Sequence, residues 1–324
     1  MALFEDLSGF ALQIKYPQER LEVAHSNCQE MYETFRIPKK TGGVRTIHAP
    51  NIELKPLQQA IDDWIRIQHK VSRGAHGYVR NRSIVTNARS HVGKAHVLNI
   101  DLKDFFPTIG ERFVSKLFRQ HPFNLPRRMS DYVAHLCCYQ GKLPQGAPTS
   151  PVISNMACKK LDERLADIAK ESGLVYTRYA DDITLSCGED EFPTAIAFEK
   201  GGQWQLGRQL LDAITSSGFE INMRKVRMQP NNRRQVVTGI VVNRRLNLPR
   251  EYFADVRAML HSRQQAGPDL SLARYQSLNP SSSAQNIDEI LRGKIEFIAA
   301  VRGSNDPIYL KFLNQFMGIV GTSP

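Results

Sequence analysis

Two adjacent aspartates, Asp181 and Asp182, stand where two apolar strand-like runs meet in VYTRYADDITLS. Alternating Tyr, Ile and Leu on either side favour strands, so the acids mark a tight hairpin. An acidic pair in such a turn ordinarily bonds its own backbone and does nothing more. A second acid changes the reading. Asp101 closes the run AHVLNIDL, which places a carboxylate at the end of a buried strand. Burying an unpaired carboxylate is costly, so an acid in that place calls for a cation.

If the Asp101 strand lies beside the Asp181 hairpin, two or three carboxylates converge on one spot. Such a cluster suits hard divalent ions, and Mg²⁺ prefers a few carboxylates completed by water and substrate phosphates. Two ions about 4 Å apart could activate an attacking 3′-hydroxyl and stabilise a leaving pyrophosphate. In that scheme Asp101 and Asp181 bridge the ions, while Asp182 supports the site or touches the ion on the primer side.

Composition sets the outer bounds. The 324 residues, 41% of them hydrophobic, allow two or three packed substructures. With 43 basic against 32 acidic residues the net charge is +11, and the isoelectric point is near 9.5. That surplus suits a polyanionic partner through counterion release, or simply keeps the protein in solution. The five cysteines (Cys28, Cys137, Cys138, Cys158, Cys187) form no C-x-x-C spacing, against both a disulfide framework and a zinc site. The start, MALFEDLSGF, carries acids where a signal peptide needs basic residues, and no stretch approaches membrane-spanning length. A soluble protein in the reducing cytoplasm is expected.

No internal repeat or low-complexity tract divides the chain. GGVRTIHAP reads as a turn and a strand, and Leu54, Leu57, Ile61, Trp64 and Ile65 recur at helical spacing. A mostly helical stretch is expected from Glu111 to about Tyr139, then the loop KLPQGAPTSP. The next helix has Ser150 as cap, Pro151 in its first turn, and Leu161, Leu165 and Ile168 on one face. A helix over roughly Trp204 to Ser217 comes next, and GFEINMRK and RQVVTGIVV read as strands. The tail from Glu251 is helical with a polar interruption at 267–285. Helices on one face of a small antiparallel sheet, with a helical tail, make an α+β architecture.

In LPQGAPTSP, Gly146 lets backbone approach a ligand and Gln145 offers an amide with donor and acceptor ends. A plain loop-to-helix junction would account for the glycine and prolines equally well. Taken in order, NIDLKDFFPTI, LPQGAPTSP, RYADDITLS, GFEINMRK and VTG resemble the successive motifs of reverse transcriptases, over roughly residues 40–245. YADD is similar to the reverse transcriptase form of the box, rather than the GDD of RNA-dependent RNA polymerases. NARSH (Asn87, Ala88, His91) and Val237-Thr238-Gly239 resemble the N-A-x-x-H and V-T-G elements of bacterial retron reverse transcriptases. A short chain without appended nuclease, maturase or protease regions also fits retrons better than group II introns or retroviruses.

The resemblance implies a right-hand polymerase. Fingers would span 1–95, with 111–147 returning to them. An RRM-like palm over 96–110 and 148–245 would carry Asp101, Asp181 and Asp182 as catalytic metal ligands, and 246–324 would form a helical thumb. Phe106 would be the steric gate that excludes a ribose 2′-hydroxyl, and Gln145 and Gly146 would line the nucleotide pocket. Lys225 would meet the triphosphate and protonate pyrophosphate, and Arg45 would clamp phosphates with its forked donors. As bare residues, Phe106 would be core beside Phe105, and Lys225 and Arg45 solvated surface groups.

The resemblance further implies that Asn87, His91, Val237, Thr238 and Gly239 recognise the cognate RNA and grip the primer end. Their plainer roles are a shared helix face for Asn87 and His91, and a strand bulge at Gly239. Arg292, Lys294, Arg302 and Lys311 would let the thumb hold a duplex or an RNA stem, unless they are only a solvated helical face. The implied reaction is RNA-directed DNA synthesis from dNTPs, with two Mg²⁺ ions or Mn²⁺ in their place. A structured noncoding RNA would serve as template and primer, giving a branched RNA–DNA product (msDNA) and an RNA–DNA hybrid, with a separate effector protein in anti-phage defence. The alternatives are another bacterial reverse transcriptase class (abortive-infection, diversity-generating or group II intron-like) and a catalytically silent RNA-binding scaffold. NARSH and VTG weigh against the first, and the three intact acids against the last.

Overall fold

Helical and strand-like spacing resolve, in the computed structural model, into two compact units. The structure describes residues 4–38, 42–280 and 282–321, so the Met1, Ala2 and Leu3 start lies outside the described residues. One unit comprises the chain up to 83 together with 98–228, and the other comprises 84–97 together with the chain from 229 onward. In chain order the elements begin α1 (Leu7–Ile14), α2 (Gln18–Asn27), β1 (Tyr32–Pro38), β2 (Val44–Pro50), α3 (Leu54–Gln68), α4 (Ile84–Arg89) and β3 (His96–Asp101). They continue α5 (Phe105–Thr108), α6 (Glu111–Phe118), α7 (Arg127–Cys137), α8 (Ser150–Ala157), α9 (Lys159–Glu171), β4 (Val175–Tyr179) and β5 (Asp182–Cys187). Then come β6 (Ala197–Lys200), β7 (Gln203–Leu206), α10 (Arg208–Thr215), β8 (Arg227–Pro230), β9 (Val236–Val237) and β10 (Ile240–Val241). Three helices close the described chain: α11 (Arg250–Leu278), α12 (Ile287–Arg302) and α13 (Pro307–Gly321).

The sheet that matters runs β4-β5-β3-β8. In β5 every residue after Asp182 is buried, and β3 buries Leu98 and Ile100. Leu161 and Leu165 of α9 and Ile61 and Trp64 of α3 belong to the same core. Each such side chain contributes about 1.5–3 kcal/mol when fully buried. The second unit has its own core, in which Val237 and Ile240 join Val256, Leu260, Leu291, Ile295, Phe312 and Phe316. The α+β expectation therefore holds, and all five cysteines are free and buried. Among the described residues no helix is long and apolar enough to cross a membrane.

Several local expectations fail for identifiable reasons. The helix expected through Leu161 breaks at Cys158 into α8 and α9, and Ser150 spends its hydroxyl on the Pro144 carbonyl (2.6 Å) rather than on a cap. Trp204 lies in β7, because the Gly201-Gly202 pair turns the chain into the β6–β7 hairpin before α10 begins. GFEINMRK makes only an isolated bridge, Leu102 to Ile221, and a 3-10 turn over Met223–Lys225. Much of the polar 267–285 stretch is helical, since α11 kinks at Gly267-Pro268 and then resumes.

Candidate active site

The YADD hairpin pairs Tyr179 with Asp182, which leaves Ala180 and Asp181 as a two-residue turn. Ala180 takes φ 57°. Positive φ at the first central residue alone marks a II′ turn, where glycine is usual. An alanine in that region costs about 1–3 kcal/mol and persists only where its surroundings over-determine it. Here they do. Arg178, fully buried, donates from Nη1 to the Ala180 carbonyl (3.0 Å). Its Nε and Nη2 donate to the two carboxylate oxygens of Asp162 (2.7 and 2.8 Å), and Nη2 also reaches Asn155 Oδ1 (3.1 Å). Tyr176 donates its hydroxyl to Asp162 (2.6 Å), and Asn155 Nδ2 donates to the Gly77 carbonyl (3.0 Å). A Cβ on Gly77 would collide with the Ala180 backbone nitrogen, so the turn rests directly on that glycine.

Asp101 reaches the same spot from β3. The Leu102 N–H donates to the Asp181 carbonyl (3.0 Å), stitching the end of β3 to the hairpin turn. The Asp101 carboxylate is almost wholly buried and accepts from Lys225 Nζ (2.7 Å) and Asn222 Nδ2 (3.3 Å). Burial pushes the Asp181 carboxyl up, Asp101 adds to the rise, and Lys225 and Arg45 oppose it. Asp182 is pushed up to about 6 by the protein packed around it, then by the charges of Asp181 and Asp101, although solvent still reaches its carboxylate. Three hard oxygen donors, two of them with carboxyls held above their ordinary range and the third already carrying an ammonium, fit a divalent cation in chemistry. As the side chains are placed, no group of three His, Cys, Asp or Glu among the described residues could hold one ion together.

A cavity of about 610 Å³ opens over Asp101 and Asp181, lined also by Lys225, Arg45, Phe106 and Gln145 but not by Asp182 or Gly146. Phe105 is core, stacked on Phe219, whereas Phe106 is partly exposed and faces the cavity. Gln145 accepts the His48 N–H on its carbonyl (2.9 Å), which docks its loop on β2. Gly146 has φ 130°, and a Cβ there would stand 2.7 Å from Ile47 and 2.9 Å from the His48 carbonyl. The loop can approach β2 this closely only with glycine. Tyr78, His48 and Lys142 also line the cavity, and nothing in their sequence context singles them out. Asn222 had a signal in principle, three residues before Lys225 in the same motif.

Residues 37–240 match the family described as reverse transcriptase (RNA-dependent DNA polymerase). The chain belongs to the reverse transcriptase family. It is 35% identical over 259 residues to the retron Mx162 reverse transcriptase of Myxococcus xanthus, covering 73% of this chain and 53% of that one. To the retron Mx65 reverse transcriptase of the same organism it is 37% identical over 278 residues, covering 78% of this chain and 62% of that one. To the retron Ec86 reverse transcriptase of Escherichia coli it is 36% identical over 269 residues, covering 81% and 79%. The match thus spans only about half to three-fifths of the two Myxococcus enzymes. These relatives bear out the resemblance of the chain to retron reverse transcriptases.

In this reverse transcriptase the second unit brings NARSH and VTG together. Asn87, Ala88 and Arg89 of NARSH end α4, His91 lies in the turn that follows, and VTG forms the turn between β9 and β10, with Val237 paired to Ile240. Thr238 (φ 47°) and Gly239 (φ 82°) occupy the turn, and the Thr238 hydroxyl donates to the Ile84 carbonyl at the start of α4 (3.0 Å). Asn87, His91 and Val237 are buried, while Thr238 is partly exposed and Gly239 exposed. Neither polar end of the Asn87 side chain has a partner among the described residues. Of the basic tail residues, Lys294 is held by Asp255 (2.6 Å) and Arg302 by Asp306 (2.7 Å), which leaves Arg292 and Lys311 exposed.

Proposed function

We propose that the protein is an RNA-directed DNA polymerase of the retron kind, adding dNTPs to a primer on a structured noncoding RNA. The observation that carries this is the stitching of Asp101 to the Asp181–Asp182 hairpin beneath a cavity that Phe106 and Gln145 also line. Asp101, Asp181 and Asp182 would hold two Mg²⁺ ions, with Mn²⁺ as a substitute. Such ions, when bound, supply the Lewis acidity that activates a primer hydroxyl and offsets phosphate charge.

The chain's own groups do the rest. Lys225, reaching in from the Asp101 carboxylate, meets the triphosphate and carries a proton for the leaving pyrophosphate. Arg45 adds a forked donor to the phosphates. The Phe106 ring fills the space a 2′-hydroxyl would need, and Gln145 and Gly146 shape the pocket. The division into fingers (1–95 and 111–147), palm (96–110 and 148–245) and thumb (246–324) belongs to the same proposal.

Thr238 and Gly239, the accessible part of VTG, would touch the RNA or primer end. Asn87, His91 and Val237 would act from beneath, by fixing α4 and the hairpin. Priming from a 2′-hydroxyl would yield the branched msDNA and its hybrid, and an effector protein in anti-phage defence would complete the system.

The test is Asp181→Ala with Asp182→Ala. Loss of DNA synthesis on a primed RNA template, with folding and RNA binding intact, is expected. Full residual synthesis would refute the assignment. For the retron part, nucleic acid co-purified from the native locus is treated with RNase, DNase and debranching enzyme. A DNA joined to RNA by a 2′–5′ linkage is expected; unbranched DNA leaves the polymerase and discards the retron.

A further inference from the structure

The second unit carries a cluster of arginines that neither the cavity nor the VTG turn uses. Residues 231–235 (NNRRQ) lead into β9, and residues 243–247 (NRRLN) leave β10, so both loops lie at the open end of the hairpin, away from Thr238-Gly239. They are clasped together. Asn243 accepts the Gln235 N–H (2.9 Å) and donates from Nδ2 to the Asn231 and Arg233 carbonyls (3.1 and 2.7 Å). Gln235, fully buried, donates to the carbonyls of Lys94 (2.9 Å), Ala95 (3.2 Å) and Gln229 (3.0 Å). Two polar loops that could fray independently are thus fixed side by side.

What they present is uniform. The exposed side chains of the two loops are Asn231, Asn232, Arg233, Arg234, Arg244 and Arg245. Arg234 pairs with Glu251 at the start of α11 (3.1 Å), next to exposed Arg250. Among the described residues Arg233, Arg244, Arg245 and Arg250 form no ion pair with a carboxylate. Holding several like charges together without acids destabilises a loop pair, and the clasp offsets that cost. A structural role does not require it.

We propose that this clasped arginine cluster docks the phosphate backbone of a double-helical stem of the RNA that the polymerase copies; it rests on the polymerase reading above. Guanidinium forks match phosphate oxygens. The exposed side chains include no ring for base stacking and no aliphatic group for a lipid surface, so the cluster takes phosphates rather than unpaired bases. Stems present phosphates outward with bases hidden, and an RNA stem is bound by shape and backbone.

The experiment compares the full chain with R233Q/R244Q/R245Q. Arg234 and Arg250 are kept because they flank Glu251. Binding of a fluorescent RNA hairpin is measured over a range of salt, and DNA synthesis is measured on oligo(dT)-primed poly(rA). Loss of three phosphate contacts should weaken hairpin binding by about 10-fold or more and reduce the slope of log K against log salt by about 2–3. Synthesis on the simple template should stay near the parent's. The lysine variant R233K/R244K/R245K should restore the salt slope, because charge sets it. Unchanged hairpin affinity and slope in the glutamine variant would overturn the docking surface while leaving the polymerase standing. No synthesis by the parent on poly(rA) would instead overturn the polymerase reading, whatever the hairpin does.

Discussion

Asp162→Asn is the sharpest test of how the hairpin is held. The side chain is 1% exposed and its partner Arg178 is 0% exposed, joined by two charge-assisted bonds of 2.7 and 2.8 Å. Asparagine keeps the shape and one acceptor oxygen, but strands the guanidinium charge and leaves an amide NH₂ against it. Breaking one partner of a buried pair costs about 3–5 kcal/mol. Set against a total of about 5–15 kcal/mol, that is a large share. The Tyr176 hydroxyl also depends on Asp162 (2.6 Å), which places the expectation at the upper end.

Both tryptophans, Trp64 and Trp204, lie in the first unit, so denaturant unfolding followed by tryptophan fluorescence reads the right cooperative block. A midpoint shift worth less than about 1 kcal/mol would refute the claim that this pair is uncompensated when broken. A double replacement, R178M/D162L, separates electrostatics from placement. Removing both charges should recover much of the stability, since apolar pairs often replace buried ion pairs at little cost. DNA synthesis should remain low, because the Ala180 carbonyl still loses the Arg178 donor.

Phe106→Ala should lower discrimination against ribonucleotides by about 10–100-fold, read from single-nucleotide incorporation of rNTP against dNTP; unchanged selectivity would remove the gate. Gly77→Ala should cost about 1–3 kcal/mol and depress synthesis, because the new methyl meets the turn that carries Asp181; a thermal melt matching the parent's would contradict the contact. The raised pKa of Asp182, about 6, means the folded protein binds this proton more tightly than the unfolded chain. In ion-free buffer, stability should therefore fall as pH rises from about 4 to 6, and Asp182→Asn should flatten that slope; an identical slope in the variant would place the titration elsewhere.

How much of this was legible in the sequence depends on range. The hairpin announced itself because strand alternation and the acid pair are contiguous, and α3 because Leu54 to Ile65 repeat at helical spacing. The approach of Asp101 to Asp181 is a contact across 80 positions, and only the motif order pointed to it. The network under the turn was not legible at all. Nothing about Asn155, in the last turn of α8, or Asp162, in the first turn of α9, marks them as partners for Arg178, because periodicity reports a buried face but not which polar group is buried with it. NARSH and VTG were legible as strings, yet their packing on each other, and the burial of Asn87 and His91, came only from the fold. Helix boundaries failed where local chemistry outweighed spacing, as at Cys158 and Gly201-Gly202.

The site concentrates unfavourable terms that the rest of the unit must outweigh. Three acids are gathered where protein and mutual charge hold the Asp181 and Asp182 carboxyls above their ordinary range. The turn between them puts an alanine at positive φ, against its own preference. Directly beneath lies a fully satisfied polar cluster: a bidentate ion pair, a tyrosine hydroxyl, an asparagine bonded at both ends, and a glycine in backbone contact. A core chosen for stability alone would put apolar side chains there, since a buried ion pair rarely exceeds an apolar one. What the polar cluster provides instead is direction. Arg178 points a donor at one carbonyl, that of Ala180, whose next residue is Asp181. The turn keeps its unfavourable geometry because the layer below fixes it through the Ala180 carbonyl and through Gly77, so the protein's own contacts bring the Asp181 carboxylate up beside Asp101 at the cavity.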